Sequence, residues 1–277
     1  MATSGDVHEQ NLKRLFGFDA FRPGQRQVID HLDTHKGAVA IFPTGGGKSL
    51  CYELPAVAYP GLTLVVSPLI ALMEQQVEFL TKKGVVAACL TSGKSGTDER
   101  WVREKAKSGA LRLLYVAPER FNNERFRALL QQLRISLFAV DEAHCISEWG
   151  HDFRPDYLKL AKAAKECRAE RVLALSATAT PKVADDICAG FGIPREQVVR
   201  TGFHRPNLAL FTTPAPSGAR DGLLLQRLKE RPRGTTIVYV TRQEGAERLA
   251  GELARAGLPA RHYHAGMESP ERTEVQG

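Results

Sequence analysis

Six short apolar runs, continuous rather than alternating, punctuate the first two thirds of the chain: AVAIF (38–42), LTLVVS (62–67), VVAACL (85–90), LRLLYV (111–116), SLFAVDE (136–142) and RVLALSA (171–177). A strand that is apolar on both faces must be covered on both faces, which an antiparallel hairpin sheet with one wet side does not provide. Between the runs lie segments of helical periodicity, such as PLIALMEQQVEFLTKKG and DYLKLAKAAKEC. Strand then helix, repeated, predicts an α/β fold: a parallel sheet sandwiched by crossover helices. Ser67-Pro68 and Thr180-Pro181 each offer a capping hydroxyl followed by a proline suited to a first helical turn.

The rhythm breaks at residues 203–222, where Pro206, Pro214, Pro216, Gly218 and Gly222 interrupt any helical stripe. This predicts a first domain over 1–205, a linker over 206–220 and a second unit over 221–277. In that unit DGLLLQRLKER reads as a helix and TTIVYV as a buried strand. TRQEGAERLAGELARAG reads as a helix opened by a Thr241/Glu244 capping box and closed at Gly257, and ARHYHA as a further strand. Two strands are few for an open sheet, so this unit is expected to have a thin core.

No apolar run reaches the roughly 18 residues that would span a bilayer, so no membrane partner is expected. The first 18 residues lack the apolar core of a secretory signal, which points to the cytoplasm. Cys51, Cys89, Cys145, Cys167 and Cys188 are scattered without a CxxC pair and read as small core residues rather than metal ligands. Lysine and arginine number 38 against 31 acidic residues, a net charge of +7 that favours a polyanionic partner.

Chemistry concentrates after the first strand. Thr44, Gly45, Gly46, Gly47, Lys48 and Ser49 separate an apolar run ending at Phe42 from a helical segment. Glycines let successive backbone amides turn onto an anion, and the following helix N-terminus adds positive potential. In that geometry Lys48 reaches the β and γ phosphates of ATP, and the Ser49 hydroxyl ligates Mg²⁺. The general phosphate-loop pattern starts with a glycine where this chain has Phe42, so the match is not strict. A second apolar run ends in Asp141 and Glu142, the carboxylates such a site requires: Asp141 to hold Mg²⁺ and Glu142 to act as general base on the attacking water.

TGGGKS (44–49), DEAH (141–144) and SATAT (176–180) together resemble motifs I, II and III of superfamily-two helicases, whose core is a pair of RecA-like domains. Further segments resemble the RecQ family: FGFDAFRPGQRQVI (16–29) its adenine-recognition motif, VVSPLIALMEQQV and YVAPER its motifs Ia and Ib, and HCISEWGHDFRPDY (144–157) its aromatic-rich loop. FHRPNL is similar to the family's interdomain joint, and IVYVTRQEGAERLA with HYHAGM to motif IV and the segment after it.

The resemblance implies a RecA-like ATP-binding domain followed by part of a second. It implies that Phe18 stacks on adenine while Arg22 and Gln25 bind its edge, and that His144, Ser176 and Thr178 couple the nucleotide site to DNA. Trp149, His151, Phe153 and Arg154 would contact DNA, a role that also suits their chemistry, since aromatics interleaved with cations stack on unpaired bases and grip phosphates. The implied activity is ATP-dependent 3′ to 5′ movement on single-stranded and tailed duplex DNA, in repair and recombination, at the bacterial nucleoid. Motifs V and VI have no counterpart in these 277 residues, so the chain as given is expected to be impaired in unwinding. An RNA helicase, or an ATP-responsive nucleic-acid-binding module without helicase activity, are the alternatives.

Overall fold

The computed structural model describes residues 4–90, 96–150, 152–202, 207–232 and 234–276. The chain divides into two compact units, Met1–His204 and Arg205–Gly277.

In the first unit seven strands, β1 Gly37–Ile41, β2 Leu62–Val66, β3 Ala87–Leu90, β4 Leu113–Val116, β5 Ile135–Val140, β6 Val172–Ser176 and β7 Val198–Arg200, form one sheet in the order β3-β4-β2-β5-β6-β1-β7. Every pairing is parallel. The short β7 was not among the expected runs; it adds to the edge beside β1, with Val199 opposite Ala40. Helices α1 Ser4–Asn11, α2 Gln25–His35, α3 Leu50–Ala58, α4 Ile70–Lys82, α5 Gly96–Lys107, α6 Glu124–Leu130, α7 Leu160–Glu166 and α8 Pro181–Phe191 accompany the sheet.

Strand periodicity divides the interior in two. Val39 and Ile41 of β1 face one core with Leu64, Phe138 and Val140, which α6, α7 and α8 cover through Phe126, Leu160 and Ile187. Ala38, Ala40 and Phe42 face the other with Val65, Leu137 and Leu173, covered by Val28 and Ile29 of α2, Leu54 of α3 and Met73 of α4. Because successive side chains alternate between faces, a continuous apolar run feeds both cores at once. All five cysteines are free and buried. No helix among the described residues is long and apolar enough to cross a membrane.

Helix starts match the sequence signals unevenly. Thr180 caps α8, its hydroxyl accepting from the Val183 N–H at 3.3 Å. Ser67 does not cap α4, which begins at Ile70 after Leu69. Its hydroxyl is 3.5 Å from the Leu69 N–H, and Pro68 is spent on the turn between strand and helix.

The second unit holds α9 Arg220–Glu230, α10 Gln243–Arg255 and α11 Ser269–Gln276. Among its described residues the buried apolar side chains are Leu249, Ala250 and Leu253, all on α10. Two expectations fail here. TTIVYV and ARHYHA form no strand among the described residues, and Ile237 and Tyr239 are exposed. A strand exists only through a ladder with a neighbour, and neither segment has one here. The capping box also fails, because α10 starts one residue late, after Arg242, with no side-chain cap. Gly257, with φ +81°, follows its end as expected.

Candidate nucleotide-binding site

In a parallel sheet all strands end at one edge, and loops leaving neighbouring strands meet there. β1, which leads into the glycine loop, and β5, which leads into Asp141, are each paired to β6, which ends at Ser176. With strands about 4.8 Å apart, the two loops start about 10 Å from each other across one strand.

The glycine loop is held from below. Arg22 Nη1 donates to the Gly45 carbonyl at 2.6 Å and Gln25 Nε2 to the Gly47 carbonyl at 2.9 Å, while Gln25 Oε1 accepts from the Arg22 N–H at 2.8 Å. Gly47 has φ +78°, a conformation that favours glycine, and a Cβ there would lie 2.5 Å from Gln25 Nε2 and push that side chain off the loop. The Gly46 N–H donates to the Pro43 carbonyl at 2.8 Å. Among the described residues, the N–H groups of Gly45, Gly47, Lys48 and Ser49 make no backbone hydrogen bond. With two of its carbonyls occupied and these donors available, the loop has the polarity of an anion cradle. Thr44 is exposed at its outer edge.

Lys48 Nζ donates weakly to the Phe42 carbonyl at 3.4 Å. Its charge favours the ionised form of the Asp141 carboxyl. Desolvation and the neighbouring Glu142 carboxylate outweigh that effect and push the Asp141 carboxyl up to about 6. Asp141 is fixed through its backbone: its N–H donates to the Val66 carbonyl at 2.8 Å, and the buried Tyr157 hydroxyl donates to its carbonyl at 3.0 Å. Glu142 has φ 50° and ψ 42°, left-handed for a residue with a Cβ, and its Oε2 lies 3.3 Å from His144 Nδ1. Such strain is held only where surrounding contacts dictate it. His144 Nδ1 also contacts Ser176 Oγ at 3.1 Å, and Ser176 Oγ accepts from the Thr178 N–H at 3.2 Å.

Beside the loop is a cavity of about 390 Å³ whose lining includes Phe18, Arg22, Gln25, Gly47, Ser49 and Glu53. Phe18 is half exposed at its rim. Gln75, Gln76 and Phe79 of α4 also line it and were not foreseen. Neither was Glu53, whose carboxyl burial drives up to about 8, against the opposing charge of Lys83. One signal was available: a lone acid in the apolar stretch LCYELPAVA, one helical turn after Ser49.

The aromatic-rich loop presents its groups differently. Trp149 is 75% exposed, so it faces solvent and does not anchor the loop. Phe153 is half-buried, and Arg154 is forked onto Asp152 Oδ2 at 2.7 and 3.0 Å. The loop is tied down by Ser147, whose hydroxyl donates to Asp186 at 2.6 Å and accepts from the Trp149 N–H at 3.2 Å. His151 and the FHRP part of the joint segment lie outside the described residues.

A parallel sheet whose strand ends bring a glycine-rich loop and its lysine beside an acidic pair defines a P-loop nucleotide-binding protein. The chain belongs to the DEAD/DEAH box helicase family, whose model matches residues 22–187. It is 39% identical over 280 residues to the ATP-dependent DNA helicase RecQ of Pasteurella multocida, covering 98% of this chain and 44% of that one. The probable ATP-dependent DNA helicase RecS of Bacillus subtilis is also 39% identical, over 97% of this chain and 54% of its own length. The chain therefore spans about half the length of the curated relatives it matches. The crystal structure of the DUF1998 helicase MrfA bound to DNA superposes with a TM-score of 0.71 at 16% identity, over 98% of this chain and 42% of that one, a likeness of fold.

Proposed function

We propose that this chain is the nucleotide-hydrolysing portion of a RecQ-type DNA helicase, using ATP to move 3′ to 5′ along single-stranded DNA and open duplexes in repair and recombination. The observation that carries this reading is the strand order, which sets the glycine loop leaving β1 and the carboxylate of Asp141 leaving β5 on either side of β6 at one edge of the sheet. A magnesium–triphosphate needs both: backbone amides and a cation for its phosphates, a carboxylate for its metal.

In this reading Gly45, Gly46, Gly47 and Lys48 hold the β and γ phosphates, with Thr44 at the loop's edge. Ser49 and Asp141 would hold Mg²⁺, which neutralises charge on the phosphates when bound. Glu142 takes a proton from the attacking water, its carboxylate held toward His144. Phe18 stacks on the adenine. Arg22 and Gln25, which clasp the glycine loop, reach the base edge from the same cavity, so base recognition and loop conformation share two side chains. His144, Ser176 and Thr178 relay the state of the γ phosphate to the strand ends. Trp149, Phe153, Arg154 and His151 take up single-stranded DNA.

The test is ATP hydrolysis by the purified chain with and without single-stranded DNA or RNA, beside Lys48→Ala. Hydrolysis that DNA stimulates more than RNA and that Lys48→Ala abolishes supports the proposal. Equal stimulation by RNA favours an RNA helicase. No hydrolysis with intact DNA binding favours a binding module.

A further inference from the structure

The second unit contains a cluster that the nucleotide chemistry leaves unused. Glu247, on α10, and His262 and His264, in the segment after it, bring one carboxylate oxygen and two imidazole nitrogens within 4.8 Å of one another. His262 and His264 are two apart and share one side of their segment by burial: both are half-buried, while Arg261 and Tyr263 are exposed. Their rings stack with centroids 5.3 Å apart. Glu247 projects from the helix with its Oε1 3.0 Å from His264 Nε2.

The surroundings favour a ligand over a simple surface ion pair. The His264 side chain is only 12% exposed, so its Nε2 meets Glu247 largely out of contact with bulk water. Gly266 packs against that ring: a Cβ there would come 3.3 Å from His264 Nδ1 and 2.7 Å from Gln243 Oε1. The imidazole is thereby held in place between the Gly266 backbone and Glu247.

We propose that Glu247, His262 and His264 form a binding site for a borderline divalent cation of the zinc class, tying α10 to the segment that follows it. Two imidazoles and one carboxylate suit zinc and disfavour Mg²⁺ or Ca²⁺, which take oxygen ligands. Tetrahedral coordination at about 2.0–2.1 Å requires donors about 3.3 Å apart. The His264–Glu247 pair already meets that spacing, and His262 closes the remainder by side-chain rotation. Three protein ligands leave a fourth position for water or an exogenous group. All five cysteines are buried and free, so thiolates do not compete in the folded chain.

The experiment uses the untagged 277-residue chain titrated with Zn²⁺ alone by calorimetry, and with Co²⁺ by visible absorption. His31 and His35, one turn apart on α2 with ring centroids 5.5 Å apart, are the competing pair, so His35→Ala serves as the control. One Zn²⁺ per chain is expected, with affinity falling tenfold or more in His262→Ala and in Glu247→Gln and unchanged in His35→Ala. Cobalt should give d–d bands without sulfur charge transfer. Because Glu247 is exposed, far-UV circular dichroism of Glu247→Gln should match the parent, and the half-buried His262 is checked the same way in His262→Ala. Absence of Zn²⁺ binding by the parent, binding unchanged in both variants, or binding lost in His35→Ala would each overturn the assignment.

Discussion

His144 Nδ1 and Ser176 Oγ lie 3.1 Å apart, both buried, and join the loop leaving β5 to the end of β6. The same nitrogen lies 3.3 Å from Glu142 Oε2, so one imidazole touches both the general-base candidate and the serine whose oxygen holds the turn at Thr178. A change in what Glu142 contacts therefore reaches the neighbouring strand end through one imidazole nitrogen, paired with Glu142 on one side and hydrogen-bonded to Ser176 on the other. Ser176→Ala removes the second link and leaves the first. The expected result is a loss of DNA stimulation of about fivefold, the rate equivalent of a hydrogen bond worth about 1 kcal/mol, with basal hydrolysis nearly unchanged. An equal loss in both rates would assign Ser176 to packing alone.

Lys48 makes one long hydrogen bond, 3.4 Å to the Phe42 carbonyl, so its removal should leave stability within about 0.5 kcal/mol of the parent. Hydrolysis should fall by about two to three powers of ten in Lys48→Ala, the usual effect of deleting one preorganised donor from a site of developing charge. Turnover and thermal unfolding measured on the same preparations separate the two effects. A variant that hydrolyses ATP at the parental rate would remove the lysine from the site.

Trp149 contributes little to the fold, being 75% exposed on a loop held by Ser147 and Asp186. Trp149→Ala should therefore unfold at the parental temperature. Stacking on an unpaired base is worth about 1–3 kcal/mol, so affinity for single-stranded DNA should drop by roughly fivefold to more than a hundredfold, as read by fluorescence anisotropy. Arg154 is committed to Asp152, so Arg154→Ala should cost less binding than Trp149→Ala. The reverse order would mean that the ion pair opens to grip phosphate.

What the sequence made legible follows from how far each signal reaches. The continuous runs that became β1 to β6 announce both their covered faces and their parallel sense, because burial on two sides is a property of the residues themselves. The glycine loop and the Asp141–Glu142 pair are short local signals and were visible for the same reason. TTIVYV has the composition of a strand, yet Tyr239 is 91% exposed, because a strand also needs a partner that composition cannot supply. Gln75, Gln76 and Phe79 were invisible for a similar reason: they join the cavity only because the fold brings α4, which lies against β3 and β4, to the segment around Phe18, far from it in sequence order. Gln25 showed as a polar side chain beside a turn, but its grip on Gly47 depends on a contact 22 residues away.

Glu53 gives the sharpest pH dependence. Its carboxyl is 4% exposed, Oε1 has no hydrogen-bond partner, and burial raises its pKa from 4.5 to about 8 despite the attraction of Lys83. The folded state thus holds the proton more tightly than the unfolded state. Its contribution to stability is fully present below about pH 4.5 and is lost as pH rises through 8, at up to about 1.4 kcal/mol per unit. Glu53→Gln keeps the shape and cannot ionise, so it should be more stable than the parent at pH 9, with a flatter melting temperature between pH 5 and 9. Asp141, raised to about 6, acts in the same direction, but it is present in both proteins and cancels in the difference. Because Glu53 lines the cavity beside Phe18 and Gln25, nucleotide affinity in the parent should weaken as pH rises through about 8, and Glu53→Gln should lose that step. Parallel melting curves for the two proteins from pH 5 to 9 would show that the carboxyl is already ionised in the fold, with Lys83 as its partner.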